Sequence, residues 1–86
     1  MQTTLRNAAE LGSLIRLTRK VQNIRQDDAA GSIGVNENFL GKVERGSESV
    51  QWGKLFQVLD GLGLRLIVDL PDEVESLPEG HAGRNV

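Results

Sequence analysis

From Leu11 to Leu62 apolar residues recur at helical spacing, but Asn23, Gly34 and Gly46 cut the recurrence into short blocks. Helices so short are marginal alone in water, so the blocks must pack on one another. Asn7 and Glu10 have capping-box spacing. Leu11, Leu14, Ile15, Thr18 and Val21 then share a side opposite Arg16, Arg19 and Lys20, which predicts a first helix over about 8–22. Gln26 to Ile33 reads as a second helix with Ala29, Ala30 and Ile33 inward, ended by Gly34. Asn36 is a suitable N-cap for a third helix, with Phe39, Leu40 and Val43 inward and Gly46 closing it. A fourth runs from about Gln51 to Gly61, with Trp52, Leu55, Phe56, Leu59 and then Leu62 on one face.

The period changes after that. Leu64, Leu66, Val68 and Leu70 alternate with Arg65, Ile67 and Asp69, a strand pattern over 64–70 that Pro71 stops. A lone strand leaves backbone groups without partners. Two solutions are open. The strand pairs antiparallel with its copy in a homodimer, or it lies extended on the fourth helix with one edge in water. Residues 1–6 read as a flexible arm, 7–70 as one domain and 71–86 as a disordered acidic tail. The tail holds Asp72, Glu73, Glu75 and Glu79 against Arg84, so the net charge of -2 conceals a slightly basic remainder.

Composition removes whole classes of function. The chain has no cysteine and a single histidine, His81, which leaves neither thiol chemistry nor a multi-histidine metal site. No nucleophile–base pair or phosphate-binding glycine loop is visible, so no catalytic site and no cofactor are expected. No apolar run approaches the ~20 residues of a membrane span, and Met1 to Arg6 lack a signal-peptide core. A cytoplasmic, nucleoid-associated protein is the expectation.

A short helix, a glycine turn and a second short helix with this stripe describe a helix-turn-helix. The stretch from Ile24 to Gly46, with Gln26 opening the first of the two helices and Val43-Glu44-Arg45-Gly46 closing the second, resembles the lambda-repressor/Xre helix-turn-helix family. Leu11-Gly12, Ile15-Arg16 and Arg19 look like that family's first helix, and the resemblance covers about residues 11–63. It departs from the family at Ala29, where a larger apolar residue is usual, and at Glu37 and Asn38, where glutamine is frequent. Gly31 and Gly41 inside helices each cost ~1 kcal/mol relative to alanine. Leu55 to Leu70 resembles the helix-to-strand end of HipB antitoxins. That resemblance implies a mainly α bundle of four to five helices with one C-terminal strand pairing across a homodimer. It also implies a repressor of its own operon that neutralises a HipA-like Ser/Thr kinase toxin.

For such a fold the third helix enters the major groove. Glu37, Asn38 and Lys42 then become base readers, able to pair with cytosine, adenine and guanine respectively. Gly41 lies beside them on the exposed face. Gln26 at a helix N-terminus suits a phosphate, and Arg25, Asn36, Arg45 and Lys54 flank the same surface. Arg16 and Arg19 are further candidates. Leu64, Leu66, Ile67 and Val68 are the expected dimerisation residues. Each polar residue has a plainer reading: Asn38 and Lys42 as solvated surface, Glu37 as an acid favoured by a helix N-terminus. Phe39 and Trp52 read as core or core-edge. The expected partners are an inverted-repeat operator DNA, a second copy and the kinase, with no membrane. A stand-alone Xre-type regulator and a kinase-binding module with weak DNA binding are the alternatives.

Overall fold

The computed structural model describes residues 1–81. Four helices follow one another: α1 Ala8–Val21, α2 Gln26–Ile33, α3 Glu37–Glu44 and α4 Trp52–Leu62. Of the acidic tail, residues 82–86, including Arg84, lie outside the described residues.

Local chemistry sets each boundary. The Asn7 side chain accepts from the Glu10 N–H at 2.9 Å, as its spacing predicts, but the Glu10 carboxylate accepts from the Arg6 N–H at 2.8 Å rather than closing on Asn7. α1 ends as Asn23 turns left-handed at φ 61. Gly34, at φ 94, ends α2, and the N–H groups of Gly34 and Val35 both reach the Ala30 carbonyl. The Asn36 side chain caps α3 by accepting from the Asn38 N–H at 2.7 Å. Gly63, at φ 83, ends α4. Gly61 instead lies inside that helix against Ile33, with space for no side chain.

The core joins Ile15 of α1, Ala29 and Ala30 of α2, Leu40 and Val43 of α3, and Leu55, Val58, Leu59 and Leu62 of α4. Ala29, where the resemblance leads one to expect a larger apolar residue, is buried in the core. The sequence reading misplaced several residues. Val21, expected inward, is 74% exposed, and Val58 takes the inward place on α4 while Trp52 and Phe56 stand outward at 68% and 48%. Residues 55, 58, 59 and 62 hold the i, i+3, i+4, i+7 positions that meet one surface, and Trp52 and Phe56 flank that stripe. Trp52 and Phe56 contact each other with ring centroids 5.9 Å apart.

No strand is present among the described residues. Residues 64–70 follow α4 without a ladder; Leu64 is half-buried, and Leu66, Ile67, Val68 and Leu70 are exposed. The physical reason is that a strand is completed by hydrogen bonds to a neighbour, and the described residues of one copy supply no second extended segment beside it. Among the described residues no helix is long and apolar enough to cross a membrane.

Gly12 is where α1 meets the end of α3. A Cβ there would press on the Val43 carbonyl oxygen and stand 2.8 Å from that of Glu44. Backbone cannot swing aside as a side chain can, so Gly12→Ala should separate the two helices. We expect a loss of about 1–3 kcal/mol in urea unfolding, against the ~1 kcal/mol gain that helix propensity alone gives. A more stable Gly12→Ala protein would contradict this close approach.

Candidate nucleic-acid interface

The N-termini of α2 and α3 carry most of the candidate residues. Glu37, Asn38 and Lys42 are exposed on α3, while Leu40 and Val43 hold the helix from behind. Asn36 stands at the head of α3, its side-chain oxygen engaged as the cap. Exposed Arg45 follows the last turn of α3. Lys54, also exposed, brings its ammonium 6.0 Å from the ring centre of Phe39, at the outer limit of a cation–π contact. Lys54 thus lies against Phe39 of α3, and Arg45 lies beside Gly41 and Gln26.

Arg25 is held differently from the expectation of a free cation. Its guanidinium donates to Asp28 at 3.2 Å and to Asp27 at 3.4 Å. The bond to Asp28, then the charges of both aspartates, hold it above its ordinary value. Contact with a phosphate therefore has to compete with the first turn of its own helix.

Arg19 and Gly41 correct the sequence reading. Gly41 is buried, not exposed: a Cβ there would lie 3.1 Å from an Arg45 guanidinium nitrogen and 3.7 Å from the Gln26 amide. The Gln26 and Arg45 side chains fold over it, so its role in the fold is to admit them. Arg19 is 7% exposed and is unavailable to a phosphate. Its Nε and Nη2 donate to the two Glu44 carboxylate oxygens at 2.7 and 2.9 Å, and Nη1 donates to the Ile24 carbonyl at 3.0 Å. Glu44, 8% exposed, also accepts from Gln26 Nε2 at 3.1 Å. Burial alone pushes the Glu44 carboxyl up. The hydrogen bonds from Arg19 and Gln26, with the charges of Arg19 and Arg16, outweigh it and hold the group below its ordinary value. This bridge ties the C-terminal turns of α1 and α3 to the first residue of α2. Its signal was present in the spacing: Arg19 follows Ile15, and Glu44 follows Leu40, by one helical step of four, so both lie in line with fully buried residues.

The expected dimerisation residues lie elsewhere. Leu66, Ile67 and Val68 are exposed; Leu66 and Ile67 lie beside Phe56, and Leu66 and Trp52 line one groove of about 330 Å³ together with Leu5, Leu11, Val50 and Leu55.

No family model matches the chain. It is 40% identical over 73 residues to the HTH-type transcriptional regulator y4mF of Sinorhizobium fredii, spanning 85% of this chain and 96% of that protein. A second regulator of the same organism, y4aM, is 34% identical over 79 residues, and there the match spans 55% of the relative's length. Among solved structures, a HipA–HipB–operator complex contains a chain that superposes with a TM-score of 0.73 at 18% identity, covering 79% of this chain and 96% of that one. A HipB–operator O2 20mer complex gives 0.74 at 17%, covering 80% and 96%. The restriction-modification controller protein C.AhdI of Aeromonas hydrophila gives 0.60 at 22%, covering 67% and 88%. With a curated relative matched almost end to end and the four helices superposing on HipB, the chain belongs to the HTH-type transcriptional regulators of the Xre type, and its fold is HipB-like.

Proposed function

We propose that this protein is a sequence-specific DNA-binding repressor that acts as a homodimer, represses its own operon and serves as the antitoxin to a HipA-like Ser/Thr kinase. The observation that carries the DNA reading is α3 itself: Glu37, Asn38 and Lys42 are exposed on a helix whose other side is locked into the core. HipB structures of this fold hold operator DNA, and one holds HipA, which supports the same two classes of partner here. In this reading Glu37, Asn38 and Lys42 read bases, and Arg25, Gln26, Asn36, Arg45 and Lys54 contact the backbone. Residues 1–6 are an arm, 7–70 the functional domain, and the segment from 71 onward an acidic tail. The protein works in the cytoplasm, at the nucleoid.

The dimer forms through residues 64–70. Leu66, Ile67 and Val68 stand in water in a single copy, as do Trp52 and Phe56, and exposed apolar residues grouped in this way mark interfaces. Pairing of the two 64–70 segments completes the missing ladder. Two recognition helices related by a two-fold axis require an inverted repeat with half-sites about 34 Å apart, or a multiple of that. Footprinting on the DNA upstream of the gene, at several salt concentrations, tests this. A single unrepeated half-site, or binding indifferent to salt, would refute it.

The two kinds of contact are expected to separate under mutation. Asn38→Ala and Lys42→Ala should relax base preference, each with a loss of about 1–3 kcal/mol if the contact is bidentate. Arg45→Ala should weaken binding to all sequences alike and flatten the salt dependence. Competition assays with cognate and scrambled duplexes distinguish the two patterns. An unchanged sequence preference in Lys42→Ala would mean that α3 is not docked in this way.

A second reading, a stand-alone regulator, is favoured by the curated relatives, whose names are those of regulators. Co-purification with the product of the neighbouring gene decides between them. A kinase that binds should leave α3 free, so that operator DNA joins the complex.

A further inference from the structure

The buried bridge has a third donor besides the two nitrogens of Arg19. Arg19 alone satisfies both Glu44 oxygens, yet Gln26 also donates to one of them from the head of α2. We propose that Glu44 is a positioning residue for DNA binding, which orients the Gln26 amide so that its nitrogen, rather than its oxygen, is fixed beside α3. The inference rests on the DNA-binding reading.

The chemistry is that of a two-sided donor. A carboxylate accepts only, so the group facing it must be the Gln26 NH2 and cannot be the carbonyl. One N–H goes to Glu44 and the other remains to donate to a second acceptor. A phosphate oxygen also accepts only, so this amide orientation suits the head of α2, where the helix N-terminus already favours an anion. An unrestrained glutamine has several rotamers and two amide orientations, and it loses that freedom on binding. Glu44 removes that loss in advance. Gly41 supplies the space, since the Gln26 and Arg45 side chains occupy the position that a Cβ would crowd. The acids of the first turn of α2 are otherwise engaged: Asp27 and Asp28 hold Arg25, and the Asp28 N–H donates to Asp27.

A double-mutant cycle on DNA affinity tests the proposal, with the full chain and a scrambled duplex, so that backbone contacts alone are read. Gln26→Ala should weaken binding by roughly ten-fold, the loss of one charge-assisted hydrogen bond. Glu44→Gln should weaken the otherwise unaltered protein by several-fold but cost nothing further in the Gln26→Ala background. Should Glu44→Gln fail to fold, Glu44→Asp carries the same cycle, because it keeps the charge opposite Arg19 and withdraws the carboxylate from Gln26 by one methylene. Equal losses in both backgrounds overturn the proposal and leave the DNA-binding reading intact, because Glu44 would then act through the fold alone. Failure of the unaltered protein to bind any duplex overturns the reading, and the positioning role with it.

Discussion

Arg19→Ala is expected to cost about 3–5 kcal/mol of stability, because it leaves the Glu44 carboxylate buried with Gln26 as its remaining donor. Each kcal/mol is roughly 4–8 °C in the melting temperature of a domain of this size. Much of this is the penalty of an orphaned charge, which a second replacement exposes. Arg19→Met combined with Glu44→Leu removes both charges and fills similar volume, so it should recover most of the loss. Thermal and urea unfolding of the two proteins make the comparison. A loss below about 1 kcal/mol in Arg19→Ala would mean that the pair is solvated, since exposed ion pairs contribute no more than that.

The same pair makes a pH prediction with a definite sign. Glu44 is held below the ordinary glutamate value of 4.5. An acid depressed in the folded state contributes stability that is complete above its ordinary value and is lost as pH falls through the folded one. Acid unfolding of the unaltered protein should therefore include a loss below about pH 4.5 that the Arg19→Met, Glu44→Leu protein lacks. Identical acid limbs for the two would contradict the assignment.

The second large effect concerns assembly. Ile67→Pro removes a backbone donor and fixes φ in the middle of the segment proposed to pair across the dimer. Ile67 is 55% exposed in the single copy, so the four helices have no need of it. The variant should sediment as a monomer with its helical circular dichroism retained. It should also lose roughly 10²–10⁴-fold in affinity for an inverted repeat, because the second half-site is no longer tethered to the first. An Ile67→Pro protein that stays dimeric would place the interface on helix packing through Trp52 and Phe56 alone. An unaltered protein that is monomeric at tens of micromolar would remove the basis for the assembly.

The helices were legible because their signals are local. Asn7 and Asn36 are capping residues by their own side-chain chemistry, and Gly34 is the one residue type that turns left-handed cheaply. The stripe of Leu40 and Val43 and the exposed Glu37, Asn38 and Lys42 follow from a period of 3.6, so the sequence also told the inner from the outer face of α3. What it did not settle were relations between helices. Gly41 lies on the turn that faces outward by spacing alone, and only the Gln26 and Arg45 side chains lying across it make it buried. Arg19 is a cation on an amphipathic helix, and nothing within α1 says that an acid from α3 waits at the same depth. Trp52 and Phe56 read as core because apolar residues usually are, yet four helices this short enclose too little volume to cover both α4 faces. The alternation of 64–70 stated what the segment is suited to, but pairing needs a neighbour. A second copy could supply that neighbour, and the single folded copy leaves the ladder unformed because its described residues offer no second edge.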